Sequence, residues 1–182
     1  MRQSAISYFA DMVMSPVVVL GLSAFALTHY TRAAIVEWVL LVSFGCAFWT
    51  LVEYAMHRLI YHRIPAFERY HQIHHENPRA YIGAPPLLGT TVTFLVSFMP
   101  FVTIAPIVAN GFSAGMLSGY TLYMFIHYAI HFWELTPGSF LYRARLHHAV
   151  HHYRDGNGNF GVTTSFWDRV FGTRISRSRA FA

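Results

Sequence analysis

Histidine makes up 12 of the 182 residues, and it comes in groups. The chain reads HRLIYH at 57–62, HQIHH at 71–75, HYAIH at 127–131 and HHAVHH at 147–152. An imidazole that leaves water needs a hydrogen-bond partner or a metal. His71, His74 and His75 have the spacing H-x-x-H-H, and His148, His151 and His152 repeat it. Positions i, i+3 and i+4 of an α-helix share a face, so each triplet is expected to point one way. His127 and His131 form an i, i+4 pair, a common way to offer two imidazoles to one ion. His57 and His62 are i, i+5, which is about 140° apart on an α-helix. Either the helix ends between them or each serves a different metal.

Ten imidazoles are too many for one ion, and two ions with about five ligands each fit better. Imidazole suits Fe, Zn, Cu and Ni. Structural zinc favours cysteine or mixed sets, and Cys46 is the only cysteine. The H-E-x-x-H pattern of a metalloprotease is absent, because no histidine follows His75-Glu76 at the required place. A pH-sensing cluster needs only a few histidines and leaves the repeated spacing unexplained. His29 stands alone and is read as structural. His147 precedes the second H-x-x-H-H and is given a supporting or structural place outside the ligand set.

Metal-bound histidines usually donate their second N–H to an acceptor. Glu53 lies four residues before His57 on the same helix face, which fits such support or a helix contact. Glu134, three after His131, is a second candidate. Asp155 and Asp168 are expected to be structural, as Asp favours turns and caps. Tyr81, Pro85, Pro86 and Tyr153 flank the histidine groups and are candidates for lining a substrate entrance.

Composition says what must position these groups. Hydrophobic residues make up 54% and charged residues 12%, against about 25% charged in a soluble domain. The deficit points to a membrane protein. The net charge is +5 and every basic residue is Arg. Nucleic-acid binding does not follow, since the aromatics sit in apolar runs and not in a basic groove. The run Met12–Leu27 lacks a clear cleavage site and is read as retained, though short and carrying Pro16. Ala33–Val52 is long enough to span. Tyr81–Ile126 holds no charged residue, enough for two spans, Leu87–Ala109 and Phe112–His131, with the turn at Asn110-Gly111. Pro100 and Pro106 then fall inside or beside the third span.

Arginine placement orients the spans. Arg2 precedes the first, and Arg58, Arg63, Arg69 and Arg79 lie between the second and third. Arg143, Arg145, Arg154, Arg169, Arg174, Arg177 and Arg179 follow the fourth. Both termini and the middle segment are therefore expected on the cytoplasmic side, with every histidine except His29. A helix from Ala33 to His62 would be about 45 Å long, so its last turns leave the roughly 30 Å hydrocarbon layer. The expected fold is all-α: one domain over residues 1–182, with four membrane spans, two tight outer turns and one broad cytoplasmic face carrying a di-metal histidine site.

The order H-x4-H, H-x-x-H-H, H-x3-H, H-x-x-H-H resembles the fatty acid hydroxylase / sterol desaturase superfamily of membrane oxygenases. The tail HHYRDGNGNFGVTTSFWDRVFGT, His151–Thr173, is similar to the C-terminal signature of fatty acid 2-hydroxylases. The likeness runs from about Glu53 to Thr173. It implies a four-helix transmembrane bundle with a cytosolic helical cap, and two irons held there by the ten histidines, with zinc able to fill such sites in isolated protein. It also implies O2, a lipid acyl substrate, often in ceramide, and electrons from a cytochrome b5-like or ferredoxin-like donor. The first apolar run begins within about a dozen residues of Met1, so the donor is expected to be external. The membrane would be the inner membrane in a bacterium and the endoplasmic reticulum in a eukaryote.

Carotenoid ring hydroxylation and sterol oxidation are the rivals within the superfamily, and the SFWDRVFGT ending favours the acyl hydroxylase. Phe166, Trp167, Val170 and Phe171 in that ending suit an interfacial anchor. A metal transporter is the rival outside it, and the charge-free run Tyr81–Ile126 argues against a transport path.

Overall fold

The computed structural model describes residues 3–83, 85–154 and 156–175. Asp155, and the orienting Arg2, Arg177 and Arg179, lie outside the described residues. The order is α1 (Ala5–His29), α2 (Arg32–Ala55), a π-helical turn (Met56–Tyr61), α3 (Pro65–Glu76), α4 (Leu88–Phe98), α5 (Pro106–Phe132), α6 (Phe140–Tyr153) and α7 (Phe166–Val170). The regular structure among the described residues is helical, as expected, apart from an isolated bridge at Ile82.

The chain divides into two compact units. One comprises described residues 3, 50–83 and 123–175, and the other 4–49 and 85–122. The second unit has an inverted interior. Ser15, Ser97 and Ser113 are buried while Leu20 is 68% and Val36 63% exposed. Water would penalise such an apolar surface, and lipid accepts it. Ala5–His29 and Arg32–Tyr61 are long and apolar enough to cross a membrane.

In this unit Ser15, Ser97, Ser113 and Asp11 all find partners. Ser15 Oγ donates to Leu117 O at 3.1 Å and accepts from Thr121 Oγ1 at 2.9 Å. Ser97 Oγ donates to Ser113 Oγ at 2.9 Å. Buried Asp11 accepts from Thr90 N at 2.8 Å and Thr90 Oγ1 at 2.5 Å, capping the start of α4 from α1.

The expected turn at Asn110-Gly111 is not there. Both residues lie inside α5, and the chain turns instead between Phe98 and Pro106. Pro100 lies in that turn, and Pro106 opens α5, where its missing N–H costs nothing. Packing overrides the Asn-Gly turn signal. Asn110 Oδ1 accepts from Trp38 Nε1 at 2.6 Å. Gly111, Gly115 and Gly119 recur every four residues along one face of α5, against α2. A Cβ at Gly45 would lie 2.5 Å from Phe112 O, and one at Gly115 would collide with Val42 O. These glycines serve close helix approach, not a turn. In consequence α4 has only 11 residues, about 16 Å of helix, well short of Leu87–Ala109.

The first unit has its own core of Ile126, Ile130 and Val162, with Leu135 and Leu141 packed against it. This unit carries every histidine except His29. That residue is exposed, with Nδ1 3.0 Å from Phe25 O and its ring stacked on Phe25, in keeping with a structural role.

Candidate metal centre

Four elements deliver the ten histidines, and the π-helical turn resolves the oddest pair. On an α-helix His57 and His62 would diverge. Met56–Tyr61 is π-helical, and its wider i→i+5 winding brings i and i+5 together. The two rings lie 5.2 Å apart. Of the two alternatives read from the sequence, the first holds: the widened helix ends at Tyr61, before His62, and both residues join one cluster.

The triplets also behave differently from a single three-ligand face. His57, His62, His71, His75 and His151 form one cluster, and His74, His127, His131, His148 and His152 form a second. Each H-x-x-H-H therefore splits. α3 gives its i and i+4 members to the first cluster and its i+3 member to the second, and α6 does the reverse. The expected division into two groups of five stands, while the shared-face expectation fails. On a helix i+3 points about 60° to one side of i and i+4 about 40° to the other, so i+3 stands about 100° from i+4, enough to separate two adjoining centres.

Within each cluster one nitrogen per histidine lies within 4.8 Å of all the others. His71 Nε2 is 2.9 Å from both His57 Nε2 and His75 Nε2, and His62 Nε2 is 3.1 Å from His151 Nε2. In the second cluster His131 Nε2 is 3.2 Å from His127 Nε2 and 3.1 Å from His148 Nε2, which is 2.9 Å from His152 Nε2. His74 Nε2 is buried with no hydrogen-bond partner among the described residues, and its ring lies 4.8 Å from that of His127. Ligands about 2.1 Å from one ion stand about 3 Å apart when cis and about 4.2 Å apart when trans. Both donor sets fit a metal ion.

Burial keeps the imidazoles uncharged, and neighbouring imidazoles add to it. His74 and His151 are pushed down to about 3 and His75 to about 4, burial being the main cause in each. His71, His148 and His152 are lowered further for the same reason. At neutral pH these rings offer lone pairs without first losing a proton.

The supporting residues differ from expectation in detail. His57 Nδ1 donates to Phe160 O at 2.6 Å, and His151 Nδ1 to Gly158 O at 2.8 Å. Glu53 bonds no imidazole. It accepts from Val162 N at 2.5 Å and from Thr163 N at 2.9 Å and Thr163 Oγ1, so it holds the loop whose Phe160 carbonyl meets His57. Glu134 is exposed and, among the described residues, meets no clustered histidine by a hydrogen bond. His147 stands outside both clusters and pairs with Asp168 at 3.1 Å.

Sequence reasoning undervalued Asp168. It is fully buried and accepts from Phe160 N, Gly161 N, Thr173 Oγ1 and His147 Nε2. Burial pushes its carboxyl up, but the bonds from His147, Gly161 and Thr173 outweigh that and hold it below its usual value. The signal was its isolation, since Glu134, Asp155 and Asp168 are the only acids after Glu76. Arg79 and Arg145 close the C-terminal end of α5. Arg79 Nε donates to His131 O at 3.2 Å, and Arg145 Nε to Ile130 O at 2.8 Å.

Two cavities reach the clusters. One of about 330 Å³ is lined by His62, His75, His151 and His152. One of about 180 Å³ is lined by His131, His148, His152, Arg79 and Arg145. Tyr153, 74% exposed, borders both. Tyr81 packs on Phe132 at 6.0 Å and lines neither, and exposed Pro85 and Pro86 belong to the other unit.

The family model described as fatty acid hydroxylase matches residues 42–173. The chain belongs to the fatty acid hydroxylase family. It is 34% identical over 143 residues to the fatty acid 2-hydroxylase of Rattus norvegicus, covering 72% of this chain and 38% of that protein. It is 32% identical over 143 residues to a dihydroceramide fatty acyl 2-hydroxylase of Arabidopsis thaliana, covering 74% of this chain and 60% of that one. A solved structure of full-length scs7p, in which only the hydroxylase domain is visible, superposes with a TM-score of 0.80 at 27% identity, covering 93% of this chain and 67% of that one. This member of the fatty acid hydroxylase family thus spans well under two thirds of the rat relative's length. The resemblance read from the histidine order and the tail is borne out.

Proposed function

We propose that the chain is a membrane-bound di-iron oxygenase that hydroxylates a lipid acyl chain at the carbon next to the carbonyl. The observation that carries this reading is the pair of five-imidazole clusters, in a chain whose family and similar relatives are named for acyl hydroxylation. Those names favour an acyl chain over a carotenoid or sterol.

The ten clustered histidines, His57, His62, His71, His75, His151 and His74, His127, His131, His148, His152, are the ligands, five to an ion. Zinc can take the same places in isolated protein. Two bound irons would supply the activation of O2 and the oxidation of an otherwise inert C–H bond. The protein supplies position and protection. Phe160 O and Gly158 O hold His57 and His151 with their Nε2 lone pairs turned inward. Arg79, Arg145 and Tyr153 face the smaller cavity and suit the polar end of a lipid.

Electrons come from a separate donor of the cytochrome b5 or ferredoxin type. The family match draws residues from both compact units, which supports one domain over 1–182. We read four membrane segments, with short α4 reaching only part-way, and a helical cap. Arginine placement supports both termini and the cap on the cytoplasmic side, at the inner membrane of a bacterium or the endoplasmic reticulum of a eukaryote. The test is lipid mass spectrometry of a heterologous host supplied with iron and a donor. One added oxygen on acyl chains is expected, and oxygen added only to carotenoids or sterols overturns the substrate assignment.

A further inference from the structure

The two clusters contain equal numbers of imidazoles but are not held alike. In the first, His57 and His151 turn their outer ring nitrogens to carbonyls of one loop, Phe160 O and Gly158 O. A carbonyl only accepts, so each bond fixes the tautomer and the ring plane. The loop is itself clamped. Asp168 accepts from Phe160 N at 2.8 Å, Gly161 N at 2.9 Å, Thr173 Oγ1 at 2.8 Å and His147 Nε2 at 3.1 Å. Asn159, at φ 56°, donates to His147 O at 3.2 Å. A Cβ at Gly161 would stand 3.0 Å from Asp168 Oδ2 and collide with Thr164 O, so only glycine seats the loop on the carboxylate. In the second cluster the Nδ1 atoms of His148 and His152 are buried with no hydrogen-bond partner among the described residues. No carbonyl among the described residues fixes those two rings from outside.

We propose that Asp168 is a positioning residue for the first cluster alone, acting through residues 158–161 on His57 and His151, so that this cluster holds its metal more tightly and releases it last. The inference rests on metal binding by both clusters. Removing an outer partner of a ligating histidine costs about 10- to 100-fold in affinity, and that is the size of difference expected between the two centres.

The test uses the full chain in detergent, loaded with Zn²⁺ alone and mixed with a chromophoric chelator. The wild type should release two equivalents in two phases, with rates about tenfold or more apart. His57→Ala should lack the slow phase and His127→Ala the fast one. Asp168→Asn should leave the fast phase and the helical circular dichroism unchanged while the slow phase accelerates about tenfold or disappears. Thr173→Val removes one donor, should move the slow phase the same way by less, and decides the matter if Asp168→Asn does not fold. A single two-equivalent phase in the wild type overturns the proposal, as does equal acceleration of both phases in the variants. A wild type that takes up no zinc overturns the metal reading beneath it.

Discussion

The imidazole of His75 lies flat on that of His152, with ring centroids 4.2 Å apart and planes 9° from parallel. The two residues belong to different clusters, so the clusters meet across two stacked rings. Both rings also border the larger cavity, and a molecule that enters it meets the two centres together.

Loss of a ligand from either side should therefore stop turnover. His148 is buried in the second cluster, with Nε2 3.1 Å from His131 Nε2. His148→Ala is expected to lower turnover by more than about 100-fold, the loss of about 3 kcal/mol of transition-state stabilisation, and to take metal content from two per chain toward one. Elemental analysis beside product formation checks it, and an active variant with both metals removes His148 from the ligand set.

Acid should destabilise the metal-free protein. His75 falls from 6.5 to about 4, and His74 and His151 to about 3, on burial. Below 6.5 the unfolded chain binds protons that the folded chain refuses, so unfolding gains as pH falls toward 4. Above about 7 these groups are neutral in both states and contribute no slope. Thermal melts of chelator-treated protein should show a fall of about 4 °C or more between pH 7.5 and pH 5. A flat profile contradicts the burial of neutral imidazoles.

The glycine face of α5 sets a steric limit. Gly115→Leu would drive a side chain into the Val42 carbonyl, and overpacking of this kind costs about 1–3 kcal/mol or more. A lower melting temperature in detergent is expected, whereas Gly21→Leu, in open space, should leave it unchanged. Equal melting of the two variants would contradict the close approach of α2 and α5.

Asp11 offers a cleaner test of the α1–α4 contact. Asp11→Ala leaves Thr90 N and Oγ1 without their acceptor, a loss of about 1–3 kcal/mol for a buried donor. Asp11→Asn keeps one acceptor oxygen and should recover part of it. The comparison is made by chemical denaturation, and no loss in the alanine variant would show that Asp11 does not cap α4.

Much of this was legible in the residues. Histidine type and count gave two groups of five because imidazole has few other uses at that density. The sorting of His74 and His151 into the opposite cluster from their triplet partners was not legible. It depends on where a second helix stands, and spacing along one helix cannot show that. The π-helical turn at 56–61 was hidden for a related reason, since its sequence MHRLIY carries no local mark of wider winding. Asn110-Gly111 misled because glycine serves both turns and close packing, and only the α2 surface says which. Gly158 O and Phe160 O are backbone groups and invisible to residue type, so the tail's link to the clusters appeared only with the fold.

The central claim is tested most directly by supplying iron-loaded protein in lipid with a reductase-driven donor, isotopically labelled dioxygen and a long-chain acyl substrate. The label should appear as one hydroxyl oxygen on the carbon next to the carbonyl, and His148→Ala should give none. Product without label, or label that persists in His148→Ala, would contradict the account.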